Sequence, residues 1–426
     1  MANSPPVIVN LSDAFFHDAA GGAARLAWDL ARKQVQWGYR VFLVCIQLIP
    51  DAPEREDREG VTVLRCPPSR FPPPHPLNLW ERIRHGREAT RRIRIESGRL
   101  DVVHSHSPLL GIGAMQSDAA LNALKIHSIH SPLVLEMRAG KQWEHRNNWK
   151  QTLLSSAAYF AAGRVESRCL ALADRLTSDS SFTRQEIIRD YPRVVRSKTF
   201  SVLPGWVDPE RFSIAGPTTD WQPELKRSPR RPVLLTIRAL VPRNGLDMLI
   251  DAAARLKAEG LIFDLVIGGD GPLRLPLQEQ VRSLALQDRV TLLGRMDDDR
   301  LPVLYRSCDL FVLPTRALEC FGIIILEALA SGKPVIATPV GSIPELLAPV
   351  YPEGLISEVS AAALADALGR HLRRPELESE AAKRREQFRR YVLQNYTLEI
   401  GTERFRRLYA AEGGPPVVAP RDGGIS

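Results

Sequence analysis

Short apolar runs alternate along the chain with longer segments of helical spacing. Val7–Val9 predicts a buried strand, Ala23–Gln36 a helix with Leu26 and Leu30 on one face, and Val41–Ile46 a second strand after the break at Gly38. The same reading predicts strands at Val61–Leu64, Asp101–His106, Ala123–Ser128, Pro132–Met137 and Leu176–Ser181, with helices over Leu77–Ser97 and Arg164–Ala173. A stretch rich in Pro, Thr and Arg, Ala215–Pro232, then interrupts the pattern. Beyond it the alternation restarts. Strands are predicted at Val233–Ile237, Phe263–Ile267, Val290–Leu293, Leu310–Leu313, Pro334–Ala337 and Leu355–Ile356, and helices at Leu246–Gly260, Leu301–Ser307, Ile323–Ala330 and Ala361–Arg374. Strand–helix alternation predicts an α/β fold with doubly wound parallel sheets, and the restart predicts two of them.

The chain length, 426 residues, suits two cores better than one. The expected division is an N-terminal domain over 1–212, a linker over 213–232, a C-terminal domain over 233–390, and a final segment over 391–426. That final segment comprises a basic helix, Phe388–Ala411 at its widest, and a disordered tail from Pro415. The proline-rich Pro67–Pro76 is expected to be a surface loop.

Composition narrows the class. Apolar and charged contents of 44% and 25% are those of an ordinary globular protein. The five cysteines (45, 66, 169, 308 and 320) form no C-x-x-C pair and suit free thiols in a reducing compartment. No secretory leader and no bilayer-length apolar run is apparent, so a cytoplasmic location is expected. The first 212 residues carry 29 basic and 22 acidic side chains, +7 of the total +8. Nucleic acid is not the expected partner, because no helix-turn-helix, zinc-finger or RNP pattern is present. An anionic membrane surface or a phosphorylated acceptor fits better. Arg82, Arg84, Arg87, Arg91, Arg92 and Arg94 in the Leu77–Ser97 segment would supply a peripheral contact with the inner face of a membrane. The plainer alternative for them is a solvated helix face.

The stretch with most chemistry is Leu313–Thr338. A strand ends at Pro314, Glu319 lies in a short connection, Phe321-Gly322 opens a helix that Ile323 continues, and Ser331-Gly332 closes it. A helix N-terminus beyond a turn suits a phosphorylated ligand, and Glu327, inside the helix, can accept two hydrogen bonds from a vicinal diol. Chance spacing of two glutamates is the alternative, but both lie among apolar or small residues, where an unpaired carboxylate is costly. The stretch resembles the donor-site signature of the retaining glycosyltransferases of the GT-B fold, glycosyltransferase family 4. Pro314-Thr315, Glu319-Cys320-Phe321-Gly322, Leu326-Glu327-Ala328 and Gly332-Lys333-Pro334-Val335 carry the match, and Phe200–Phe212 resembles the family's hinge-proximal segment.

The resemblance implies two Rossmann-like domains facing across a cleft, with the C-terminal helix packing back on the first. It implies a hexosyltransferase that moves sugar from a nucleotide-diphosphate donor, bound by the C-terminal domain, to a carbohydrate or lipid-linked acceptor on the N-terminal one. Retention of configuration, no metal ion, no cofactor and a role in polysaccharide biosynthesis are part of that expectation. Glu319 is implied at the transferred sugar and Glu327 at the ribose. Phe321, Gly322 and Ile323 complete that stretch, with Gly21, Gly22, Gly269 and Gly271 where backbone approaches the donor. Two departures stand out. The family strand ending in a sugar-contacting histidine matches Leu133–Met137 best, which places Arg138 at the histidine's position and leaves His106 and His130 as fallbacks. The family form G-R-L-V-P-x-K-G, whose Arg and Lys meet the leaving diphosphate, aligns here with Arg238-Ala239-Leu240-Val241-Pro242-Arg243-Asn244-Gly245. Ala239 and Asn244 replace both cations, while Arg238 and Arg243 keep their separation one place earlier. Arg243 is the expected diphosphate contact and Arg238 the second. The competing classes are a nucleotide-sugar epimerase of the same architecture and a sugar-nucleotide-binding protein without turnover.

Overall fold

The computed structural model describes residues 5–18, 21–71, 75–141, 149–219, 231–373 and 377–410. Much of the expected linker and the tail from Pro415 lie outside them. The chain divides into two compact units, one of Met1–Val134, Arg146–Pro204 and Glu399–Ser426, the other of Leu135–His145 and Gly205–Leu398. The division falls ahead of the expected boundary at Phe212, and the return to the first unit comes at Glu399.

The first unit holds β1 (Val7–Leu11), β2 (Arg40–Ile46), β3 (Arg55–Arg58), β4 (Val61–Cys66), β5 (Val102–Ser105), β6 (Leu124–Ile129), β7 (Arg175–Ser178) and β8 (Thr199–Val202). They pair in the order β3-β4-β2-β1-β5-β6-β7-β8, parallel except for β3. The central strands are buried along their whole length, as parallel strands covered on both faces must be. The Pro76–Ser97 helix crosses the Pro108–Met115 helix at two glycines. A side chain at Gly86 would meet the Leu110 carbonyl at 2.1 Å, and one at Gly113 the Ile83 carbonyl at 1.8 Å.

The second unit holds β9 (Val233–Ile237), β10 (Asp264–Gly268), β11 (Val290–Gly294), β12 (Leu310–Leu313) and β13 (Val335–Ala337), all parallel in the order β11-β10-β9-β12-β13. Leu235 and Phe311 on one sheet face form a core with the buried Tyr305 and with Leu326 and Leu329 of the Ile323–Ala330 helix, while Leu234 and Val312 on the other face belong to a second core.

Several expectations need correction. Pro132–Met137 is not a strand: Leu133–Lys141 is helical, entered through Pro132, with the Leu133 N–H donated to the buried Glu166 carboxylate at 2.7 Å. Five apolar residues do not separate strand from helix, and a proline at the entry favours the helix. β7 stops at Ser178, because Ser180 caps the Ser181–Asp190 helix by accepting from the Thr183 N–H at 3.1 Å. Leu355 makes only an isolated bridge to Ala337. The expected single C-terminal helix is two, Glu378–Asn395 and Leu398–Ala410, broken at Tyr396.

Candidate functional site

In the second unit the chain order reverses between β9 and β12, and ligands of open parallel sheets bind outside the carboxyl ends of the strands at such a point. The residues following those two strands meet there. Arg238 donates to Glu319 Oε2 at 2.8 Å and to Thr315 Oγ1 at 2.6 Å, and the two ion-paired side chains are largely buried. The Glu319 carbonyl accepts from the Ser342 N–H at 2.9 Å and its hydroxyl at 3.1 Å, which pins the loop. Leu318, just before Glu319, is held at φ +59°, a backbone state that costs a non-glycine residue and persists only where its surroundings impose it.

Gly322, at φ +79°, starts the Ile323–Ala330 helix, and no side chain caps that end. Phe321 is in the core, and Ile323 is half-buried on the first turn. Glu327 is buried, and its Oε2 accepts from the Tyr305 hydroxyl at 2.8 Å. Burial first, and the adjacent Glu327 charge second, push the Tyr305 phenol well above its usual range, so it remains a donor. The helix thus presents an uncapped N-terminus with a carboxylate one turn behind it.

Arg243 is partly exposed. It donates to the Leu318 carbonyl at 2.8 Å, and Nη2 lies 3.4 Å from Glu136, which belongs to the same unit. Asn244 is buried and donates to the Ala239 carbonyl at 2.8 Å. Gly269 and Gly271 answer to packing against this segment: a side chain at either would meet the carbonyl of Arg238 (1.8 Å) or Leu240 (2.6 Å). They hold the arginine-bearing segment in place through the backbone. Arg138 lies on the Leu133–Lys141 helix with its side chain exposed, not at a strand end.

In the first unit two strands are followed directly by a histidine, β5 by His106 and β6 by His130. His130 Nδ1 meets Asp179 at 2.7 Å and its Nε2 meets His106 Nδ1 at 2.9 Å. Gly22 begins the Gly22–Gln36 helix, and a side chain built at Gly21 meets open space. Of the six arginines on the Pro76–Ser97 helix, Arg82 pairs with Asp13, Arg84 with Glu88, Arg91 with Asp118 and Arg92 with Glu54. Those carboxylates neutralise much of the face on which a membrane contact would draw, though exposed pairs exchange partners at little cost. Among the described residues no helix is long and apolar enough to cross a membrane.

Ser342, Tyr305 and Asp179 escaped the sequence reading, and Thr315 entered it only as part of the matched stretch, without a role. Thr315 and Ser342 follow strand ends, a positional signal that was available; Tyr305 and Asp179 gave none.

Comparison with known proteins agrees with this geometry. Residues 20–211 match the family model described as Glycosyltransferase Family 4, and residues 217–391 the model described as Glycosyl transferases group 1. The mannosylfructose-phosphate synthase of Agrobacterium fabrum is 27% identical over 336 residues, 75% of this chain and 71% of that one. Among solved structures, a sucrose-phosphate synthase from Thermosynechococcus elongatus aligns with a TM-score of 0.77 at 23% identity, covering 95% of this chain and 98% of that one. HepE of Anabaena, solved in complex with UDP and glucose, aligns with a TM-score of 0.69 at 17% identity over 95% and 99%. With both halves matched and the fold shared end to end, the chain belongs to the group 1, family 4 glycosyltransferases of the GT-B fold.

Proposed function

We propose that the protein is a retaining hexosyltransferase that works without a metal ion, its second unit holding a nucleoside diphosphate-hexose and its first unit a carbohydrate or lipid-linked acceptor. The observation that carries this reading is the convergence of Arg238, Thr315 and Glu319 at the carboxyl ends of β9 and β12, with Glu327 behind an uncapped helix N-terminus. In the transfer, the bond from the anomeric carbon to the diphosphate breaks, a bond from the acceptor oxygen forms on the same face, and the acceptor proton leaves with the diphosphate. Negative charge grows on that leaving group. Catalysis consists largely of meeting it with fixed positive groups. Arg243 and the first N–H groups of the Ile323–Ala330 helix are suited to this, and Glu327 to the ribose diol.

Arg238 is committed to Glu319, so it serves the sugar end of the site and leaves the diphosphate to Arg243. The uridine diphosphate seen with HepE makes uridine donors the first to try. A screen of nucleotide-sugars by thermal shift identifies the donor, because a ligand bound only by the folded state raises the melting temperature. NMR of the product then reads the anomeric configuration, with chelator present throughout. Inversion, or transfer that stops on chelation, overturns the proposal.

A second reading, a sugar-nucleotide-binding protein without turnover, draws on Ala239 and Asn244 in place of the family's two cations. Nucleotide release above the uncatalysed rate excludes it.

A further inference from the structure

The residues of the site described above gather at the carboxyl ends of β9 and β12. The amino ends of the same strands carry a second feature. Pro232 precedes β9, Asp309 precedes β12 and Lys333-Pro334 precede β13, and all of them line a cavity of about 370 Å³. The C-terminal end of the Ala361–Arg373 helix adds His371 to the lining, and the Glu378–Asn395 helix adds Glu378, Arg384 and Arg385. All of these residues belong to the second unit. Strands of five and four residues hold the two ends roughly 13–16 Å apart, so this cavity is not the donor site.

Three cations, Lys333, Arg384 and Arg385, stand here against two carboxylates, and the carboxylates are differently committed. Asp309 Oδ2 accepts from the Val233 N–H at 2.8 Å, which ties it to the start of β9. Glu378 pairs with Arg385 from a position 83% exposed, and an exposed pair is worth little and exchanges readily. Arg385 is held by its stem rather than by that partner. Gly332, at φ +73°, has no side chain, and one built there would meet Arg385 Cβ at 3.1 Å and Cγ at 3.2 Å. The stem therefore lies against the turn that carries Lys333. Arg384 is steadied over the Tyr351 ring, 5.5 Å from its centroid. Burial first, and the Arg384 charge second, lower the pKa of His371, so its ring is neutral at pH 7 with one N–H to donate.

We propose that this cavity is a second anion site of the protein, built for a phosphate group, either free or carried on a small monoester. With Glu378 released from Arg385, three cations and the retained Asp309 leave two positive charges, the match for a phosphate monoester near its dianionic form at pH 7. The Arg385 fork suits two phosphate oxygens, and Lys333, Arg384 and the His371 N–H converge on the same space. The volume is at the small end for ligand pockets and fits an ester the size of a monosaccharide. The site stands independently of the glycosyl-transfer reading.

Isothermal titration calorimetry on the full chain tests it, with inorganic phosphate in one arm and glucose 6-phosphate in the other. Equal affinities assign the site to the phosphate group alone, and tighter binding of the ester assigns the rest of the cavity to its sugar. Arg385→Ala and Lys333→Ala should each weaken binding about tenfold or more, the scale of one hydrogen bond to a charged group. Glu378→Gln, an exposed change that removes the competing carboxylate, should tighten it severalfold, so the test does not depend on the alanine variants folding. Arg243→Ala should bind both probes as the wild type does. No binding of either probe at millimolar concentration overturns the proposal. Binding kept in both Arg385→Ala and Lys333→Ala also overturns it, as does binding lost in Arg243→Ala alone, which would place the anion at the donor site.

Discussion

Replacing Arg238 by alanine separates two roles that sequence alone left merged. In the structure its guanidinium is held by Glu319 and Thr315, with the paired side chains 8% and 12% exposed. Removing one partner of a buried pair strands the other charge and costs roughly 3–5 kcal/mol. Thr315 stays beside Glu319, with its hydroxyl 3.4 Å from Oε2, so the lower end applies, about 3 kcal/mol. For a unit of this size each kcal/mol shifts the melting temperature by about 2–4 °C, which gives a fall of about 6–12 °C for Arg238→Ala. Glu319→Ala should also destabilise, and the double variant should recover about 2 kcal/mol of the summed losses, the coupling expected of residues in direct contact. Thermal unfolding of the four proteins at neutral pH measures the cycle. Additive losses would refute the ion pair as the reason for Arg238. An unchanged melting temperature with lost turnover would move Arg238 to the diphosphate instead.

Arg243→Ala should lower turnover about a hundredfold, the scale for losing one charge-stabilising donor, while the melting temperature stays within about 2 °C; nucleotide-release rates and thermal unfolding decide it together. Glu327→Ala should weaken the nucleotide-sugar by about 1.5–3 kcal/mol, read by calorimetric titration, and an unchanged affinity places the ribose elsewhere. Acid should destabilise the first unit. His127 is fully buried, and desolvation lowers it to about 4 from an unfolded value of 6.5. The unfolded chain therefore takes up a proton first, and stability falls as pH drops from about 6.5 to 4, by about 3 kcal/mol for this residue. His104 and His106 add to the loss in the same direction. Glu166, raised by burial, acts with the opposite sign: its neutral form is favoured in the fold, so its contribution is greatest below about 4.5 and is lost as pH rises. Urea unfolding at pH 7 and pH 4.5 tests the balance, and equal stability at both would refute it.

What the sequence revealed follows from what makes a local pattern. β12, Leu310–Leu313, is a continuous apolar run that stops at Pro314, β9 is apolar apart from Thr236, and the Ile323–Ala330 helix lies between Gly322 and Ser331-Gly332; each appears at its expected place. β3 did not show because Arg-Glu-Asp-Arg has no apolar face: it is an edge strand, paired on one side and solvated on the other. The Pro108–Met115 helix hid because it is apolar all round and buried throughout, which removes the period. At Leu133–Met137 a helix reads as a strand, so Arg138, expected at a strand end, lies on a helix instead.

The site was legible where its parts are close in sequence and hidden where they are not. Glu319, Gly322 and Glu327 belong to one turn and one helix, so spacing alone places them on a common structure. Arg238 and Glu319 are 81 residues apart, and His130 and Asp179 are 49 apart; only the sheet brings them together, by ending adjacent parallel strands at one edge. An arginine takes its role from the carboxylate nearest to it. Arg238 and Arg243 look alike in the sequence, each a cation shifted one place from a family position, and five residues of separation suggested a pair. The fold divides them. Arg238, next to the strand end, is drawn into the Glu319 loop, while Arg243 is held by its backbone, which accepts from the Arg316 and Ala317 N–H groups at 2.8 and 3.2 Å. The Arg243 guanidinium, partly exposed, is held instead by the Leu318 carbonyl at 2.8 Å and by Glu136 at 3.4 Å, so of the two arginines it is the one not committed to Glu319.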